Sequence, residues 1–332
     1  MEPKDVSTAG DVAHLGALEL LTPQPDKSLW FFSDVLGMEV VHRESASVYL
    51  RGYGDYAAST LTLTEAARPG IGRIYWRASS PEAAARRAAA IAAAGRGIGW
   101  TAGDFCRGRC YHFRDPDGHP MAIYFEEEKY RAPPQLRSTL KNLPMKYVGR
   151  GVNVRRLDHL AVLCRDVPAN RRFAQELLGF RLHEQVLFDN GSREIGAWLS
   201  PSIVHHQLAY VVDVKAASGR LHHISLWVDN REDVLRAADI LRENGIFIEA
   251  GPARHNNSQG FYLYAYEPGG NRVEIYSGSY LVFAPDWEPV TWNEEERGSG
   301  VYWGGALPRS FLEYATPEAE APAERVPIFD LQ

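Results

Sequence analysis

Three short stretches in the second half of the chain carry side chains able to hold a metal ion. They are Leu157–Asp158–His159, Leu221–His222–His223–Ile224–Ser225 and Asn271–Arg272–Val273–Glu274–Ile275–Tyr276. Singly they say little, because a lone strand histidine is more often core or surface and a strand glutamate is usually solvated. Together they offer two imidazoles and one carboxylate, a set that leaves open positions on an octahedral divalent ion for reactants. An internal repeat sharpens the point. Overlaying the two halves sets His159, His223 and Glu274 opposite Ala17, Arg73 and Ala122. Only the second copy keeps ligands, so the chemistry is expected there.

The elements that must position these residues repeat as well. His14–Leu20 reads as a strand and Asp26–Gly37 as an amphipathic helix stopped by glycine; His159–Leu163 and Asp166–Gly179 repeat the pair. Short strands follow in both copies. A fresh strand and helix come next, Arg73–Arg77 with Pro81–Ala94 and His223–Val228 with Arg231–Asn244. Each half closes on a turn and an alternating strand, Asp115–Tyr124 and Glu267–Tyr276. The pattern predicts an α+β fold of four βαβββ units, two per half, each half a curved, partly open barrel-like mixed sheet. Residues 1–134 form the predicted metal-free first domain, 135–156 a linker, 157–279 the metal-binding domain, and 280–332 a tail. Trp287, Trp292, Tyr302 and Trp303 predict that the tail packs on the body near the site. Thr316–Arg325, rich in Pro, Ala and Glu, reads as mobile.

Composition narrows the partners. Of 332 residues, 45% are hydrophobic and 23% charged, with a formal net charge of −6. No basic stripe suits nucleic acid, and no apolar run is long enough for a membrane span. Met1–Gly10 lacks the apolar core of a signal peptide. Cys106, Cys110 and Cys164 are too few for a disulfide framework and fit a reducing cytoplasm. Cys106 and Cys110 have no second ligand pair nearby and read as ordinary small residues.

Here the second copy resembles a known family. LDHLAVLCRDV, GRLHHISLWVDNREDVLRAADILRENG, GPARH, GFYLYAYEPGGNRVEIYSGSY and PVTWN occur in the order and spacing of the extradiol ring-cleaving dioxygenases. These are the catechol 2,3-dioxygenase group of the vicinal oxygen chelate superfamily. The first half resembles that family's metal-free N-terminal domain. The resemblance implies Fe(II) on His159, His223 and Glu274, with Mn(II) able to occupy the same triad. It implies ring opening of a small aromatic diol by O2, in the degradation of aromatic compounds. Laying Asp158–His159–Leu160 on His222–His223–Ile224 turns His223 inward, and period-two alternation turns His222 to the other face.

The resemblance also assigns roles outside the triad. His206 matches the histidine acting on substrate and oxygen, with His205 in its place if the strand slips by one residue. His255 matches a histidine on the substrate side of the pocket, and Tyr264 a tyrosine facing the substrate oxygen. Trp198, on the strand before His206, reads as a pocket wall or as core. Homoprotocatechuate-cleaving members carry arginines where this chain has Ala250, Ser299 and Gly300, with Arg297 close by. The expected ring substituent is therefore neutral or apolar: catechol itself, or an alkyl- or aryl-substituted catechol. Members of the group are commonly homotetramers. Two other readings stand beside this one: a glyoxalase-like metalloenzyme of the same fold, and a metal-free protein that binds aromatic molecules.

Overall fold

The computed structural model describes residues 10–298 and 300–319. The first half runs β1 (Val12–Thr22), α1 (Pro25–Trp30), β2 (Glu39–Glu44), β3 (Ser47–Arg51), β4 (Leu61–Glu65), then β5 (Gly70–Ala78), α2 (Pro81–Ala93), β6 (Gly97–Thr101), β7 (Cys110–Arg114) and β8 (Pro120–Tyr124). The second half repeats it: β9 (Arg156–Cys164), α3 (Val167–Leu178), β10 (Arg181–Phe188), β11 (Arg193–Ser200), β12 (Leu208–Val212), then β13 (Arg220–Trp227), α4 (Arg231–Glu243), β14 (Ile248–His255), β15 (Phe261–Tyr266) and β16 (Arg272–Ser277). Four βαβββ units stand as predicted.

The helices start where the sequence supplies caps. Side chains of Ser80, Asp166 and Asn230 accept from the amides of Ala83, Ala169 and Asp233. Gly179, at φ +74°, closes α3 in the left-handed conformation. The first helix departs from the predicted continuous helix, since α1 passes into a π-helical turn at Phe31–Val35 that buries both Phe31 and Phe32.

Each half forms one sheet in which the leading strands of its two units pair antiparallel, β1 with β5 and β9 with β13. The first sheet has eight strands and the second ten. The two additional strands come from the tail, which runs β17 (Val290–Trp292), α5 (Glu294–Arg297), β18 (Val301–Trp303) and α6 (Arg309–Glu313). β17 pairs parallel with β10 and β18 antiparallel with β14, so the tail covers both edges of the second sheet. The expectation of mobility fails at the start of Thr316–Arg325. Thr316 is buried, exchanges backbone hydrogen bonds with Leu221, and donates its hydroxyl to Asn271 Oδ1 at 2.8 Å. Residues 320–325 of that stretch lie outside the described residues.

The halves share one apolar core. Trp76 meets Phe180 edge-on at 4.8 Å, and Phe113 lies 6.1 Å from Phe173. Each half also inserts its closing turn into the other. Asp117 Oδ1 accepts from the Arg165 amide, and the Asp117 amide reaches Asn170. In return, Glu267 accepts from Ser28 Oγ at 2.5 Å, Gln24 donates to the Pro268 carbonyl, and Asn271 donates to the Leu21 carbonyl. Among the described residues no helix is long and apolar enough to cross a membrane.

Glu267 is buried and also accepts from Gly269 and Asn271. Glu267→Ala strands all these donors, and we expect a loss of about 3 kcal/mol of stability, read as a lower urea midpoint. A change below about 0.5 kcal/mol would show that the turn does not lock the halves together.

Candidate active site

A single cross-strand register gathers the predicted ligands. Ser225 on β13 lies opposite His159 on β9 and opposite Glu274 on β16, while Tyr264 on β15 lies opposite Glu274. Directly opposed residues share a face, and His223, two residues before Ser225, shares it too. Ligand atoms of His159, His223 and Glu274 all lie within 4.8 Å of one another, and all three residues are buried. Ser225 between them is small and buried. In the first sheet the same register sets Tyr75 opposite Ala17 and Ala122, with Arg73 two residues earlier. The Tyr75 ring fills that space under the Arg107 guanidinium, and Arg73 contacts His112.

The three residues fit a divalent cation on electrostatic grounds. Both carboxylate oxygens of Glu274 and Nε2 of His223 are buried without a hydrogen-bond partner. His159 Nε2 comes within 2.9 Å of Glu274 Oε2, and His223 Nε2 within 3.7 Å, but neither is aligned as a hydrogen bond. A buried, unbonded carboxylate is costly unless a positive charge meets it. Burial works against ionisation of Glu274, yet His159 beside it holds the carboxyl well below its usual range. Burial likewise opposes a charge on His159, but Glu274 and the Asp158 hydrogen bond outweigh it and raise the ring to about 9. His223, where burial dominates, falls to about 3.

Polar groups behind the ligands fix which nitrogen faces the site. Asp158 Oδ2 accepts from His159 Nδ1 at 2.9 Å, leaving Nε2 toward Glu274. His222 Nε2 donates to the Phe311 carbonyl of α6 at 2.7 Å, so a neutral His222 presents an acceptor at Nδ1. His223 Nδ1, 2.6 Å away, is then the donor, and its Nε2 keeps a lone pair. His222 therefore does not turn to the far side of the sheet as strict alternation predicts. The β9–β13 register slips between Leu221 and His223, and both histidines line the same cavity.

The remaining predicted residues meet at this cavity. His206 packs its ring 3.9 Å from that of His159, while His205 sits behind it with Nδ1 2.8 Å from His206 Nδ1. Burial, reinforced by the charge on His159, depresses His206 well below the usual imidazole range, so it is neutral near pH 7. His255 Nδ1 reaches the Gly300 carbonyl at 3.3 Å, and its Nε2 lies 3.1 Å from the Tyr264 hydroxyl and 3.5 Å from Glu274 Oε1. Burial and Glu274 push the Tyr264 phenol well above its usual range, which keeps it a donor. Trp198 is part of the cavity wall, beside Val186, Ile195 and Ala209. Four other groups carried no sequence signal: Glu184, the tail residues Leu307 and Phe311, and Ser258. Glu184 is a buried carboxylate on β10; Leu307, Phe311 and Ser258 line the cavity. The Asp158–His159 pair was a readable signal for the carboxylate behind a ligand. Ala250 is buried beside Tyr262 and Tyr264, Gly300 sits against His255, and Ser299 lies outside the described residues.

Comparison with known proteins places the chain in a family. Residues 12–123 and 156–275 each match the Glyoxalase/Bleomycin resistance protein/Dioxygenase superfamily. A metapyrocatechase of Geobacillus stearothermophilus is 42% identical over 310 residues, covering 92% of this chain and 94% of the relative. A manganese-dependent 2,3-dihydroxybiphenyl 1,2-dioxygenase of Geobacillus genomosp. 3 is 39% identical, covering 89% and 94%. An extradiol ring-cleaving dioxygenase from B. fuscum superposes with a TM-score of 0.83 at 28% identity, covering 94% of this chain and 85% of that one. With both halves matched and the relatives aligned nearly end to end, the chain belongs to the Glyoxalase/Bleomycin resistance protein/Dioxygenase superfamily and, within it, to the extradiol catechol dioxygenases.

Proposed function

We propose that the protein opens a catechol ring beside one hydroxyl, using O2 and a divalent metal held by His159, His223 and Glu274. The observation that carries this is the buried Glu274 carboxylate, without an aligned hydrogen bond and facing His159, His223 and His255, with neutral His206 against His159. Bound there, Fe(II) or Mn(II) would supply Lewis acidity toward the two adjacent hydroxyls and open positions for reactants. His206 accepts the proton released when the diol binds, since its ring is neutral and its Nε2 has no partner among the described residues. Tyr264 donates to the substrate oxygen, and His255 orients the Tyr264 hydroxyl. Trp198, Val186, Ile195, Leu307 and Phe311 wall the cavity and exclude water.

The substrate is proposed to be catechol or a catechol with a neutral alkyl or aryl substituent. Support comes from the aliphatic wall, which continues through Leu163, Val211, Val212 and Val214, and from what the two Geobacillus relatives are named for. A second reading, a carboxylate-bearing catechol, is favoured by Arg297, which reaches the same cavity. Burial there presses its guanidinium down to about 10, so an anion beside it would be stabilised. The deciding assay is oxygen uptake with formation of the yellow ring-opened product, after anaerobic loading with Fe(II) or with Mn(II). We expect metal-dependent turnover, with kcat/KM for 3-methylcatechol or 3-phenylcatechol above that for homoprotocatechuate. The opposite order would establish the carboxylate reading, and no uptake by metal-loaded protein would reject ring cleavage.

Two further measurements probe the metal site. His223→Ala should abolish metal retention, whereas His222→Ala should retain metal with affinity lowered about 10–100-fold, the usual effect of removing a group that orients a ligand. The reverse ranking would reassign the ligand. Metal binding should also release a proton. His159 at about 9 is protonated in metal-free protein near neutral pH, and a ligand imidazole must be neutral. Affinity should therefore rise roughly tenfold per pH unit between about pH 6 and 8 and level off above about 9. Calorimetry in two buffers of different ionisation enthalpy reads the proton directly, and a pH-independent affinity would contradict the proposed ligand set.

A further inference from the structure

Glu184 on β10 gathers donors from four segments. Its Oε1 accepts from His205 Nε2 at 2.9 Å, from the Tyr280 hydroxyl at 2.6 Å and from the Ser258 amide at 3.1 Å, and its Oε2 accepts from Trp292 Nε1 at 2.7 Å. The residue is 2% exposed. Burial alone would raise this carboxyl, yet His205, Tyr280 and Trp292 hold it below its usual range, so it is ionised and only accepts. The proton on His205 Nε2 is thereby assigned. A neutral imidazole protonated at Nε2 has a lone pair at Nδ1, and that atom lies 2.8 Å from His206 Nδ1. Only one hydrogen fits between them, and beside a neutral His205 it belongs to His206.

We infer that His205, anchored by Glu184, is a positioning residue that fixes His206 as the Nδ1–H tautomer and so aims the Nε2 lone pair into the cavity. This rests on the proposed role of His206 as the group that takes the substrate proton. Left alone, imidazole favours the Nε2–H tautomer, which would present a proton where an acceptor is needed. The arrangement parallels the one behind His223, where the Phe311 carbonyl orders His222 and His222 orders the ligand. One such chain prepares a metal ligand and the other prepares a base. His183 supports the second from behind, since its Nδ1 donates to the His205 carbonyl at 2.7 Å. Tyr280 packs 4.8 Å from the His205 ring, so the tail holds the relay as well as the cavity wall.

The test reads the tautomer directly. Full-length protein labelled with 15N-histidine, with and without diamagnetic Zn(II), is examined by two-bond 1H–15N correlation. We expect His206 to carry its proton on Nδ1 in the wild type. In His205→Phe, which keeps a ring and removes both nitrogens, His206 should shift toward Nε2–H. In His205→Gln, whose amide can accept from His206 and donate to Glu184, the Nδ1–H form should return. With Fe(II) or Mn(II) and catechol, His205→Phe should lose about tenfold or more in kcat, with KM changed less than about twofold, and His205→Gln should recover most of it. An Nε2–H tautomer in the wild type overturns the inference without any variant. So does an unchanged tautomer and kcat in a folded His205→Phe. A tautomer that responds as described in protein that never consumes O2 would uphold the positioning role and reject ring cleavage. Active wild type with an unresponsive tautomer would do the opposite.

Discussion

The arrangement rests on one register, in which Ser225 stands between His159 and Glu274 across three adjacent strands. Two antiparallel leading strands and one parallel closing strand put three polar side chains on one buried face, where their charges cannot be solvated. A slip of one residue would turn that face outward and bury its opposite. The same register in the first sheet carries Tyr75, Ala17 and Ala122. A bulky ring occupies the centre, alanines stand at two of the equivalent positions, and Arg73 stands at the third. The two sheets are one design with opposite contents: one centres on a packed tyrosine ring, the other on two imidazoles and a carboxylate.

What turns a cluster of histidines into a defined site is the group behind each ring. Histidine has two chemically distinct nitrogens, and the hydrogen bond made by one determines what the other presents. Asp158 does this for His159, the His222–Phe311 pair for His223, the Gly300 carbonyl for His255, and His205 for His206. These partners come from strands, from the irregular stretch near residue 300 and from α6. The site is therefore a property of the whole second half with its tail, and not of three ligands alone.

Much of this was legible in the sequence, for reasons that differ by residue. Helix starts showed because Ser80, Asp166 and Asn230 are local caps, and helix ends because Gly179 needs no neighbour to explain it. The clustering of His159, His223 and Glu274 showed because a repeat supplies its own control, the same positions without these side chains. Strict alternation failed at His222, because a register slip is set by how two strands accommodate one another and leaves no mark in either alone. Glu184 was invisible for a related reason. Its partners His205, Ser258, Tyr280 and Trp292 are scattered over more than a hundred positions and meet only in three dimensions. The tail's aromatic residues predicted packing, but which strand edges it would cover is decided by open hydrogen-bonding groups on β10 and β14.

Arg272 explains why the tail sits where the chemistry needs it. The residue next but one to Glu274 is a buried arginine paired with Glu249, and it donates to the carbonyls of His222, Ser310 and Tyr314. Glu249 in turn accepts from the Ser310 and Tyr266 hydroxyls. A buried ion pair adds little net stability, because desolvation offsets most of the attraction, but it tolerates few geometries. Here the geometry joins three things at once: the strand bearing His223, the strand bearing Glu274, and the helix bearing Phe311. Once α6 is clamped, the Phe311 carbonyl meets His222 and the Phe311 ring packs 4.8 Å from Tyr264. The cavity wall and the tautomer of a candidate ligand are thus set by the same contact. Loosening the tail would disturb the His159–His223–Glu274 cluster and the cavity wall together, even though no tail residue belongs to that cluster.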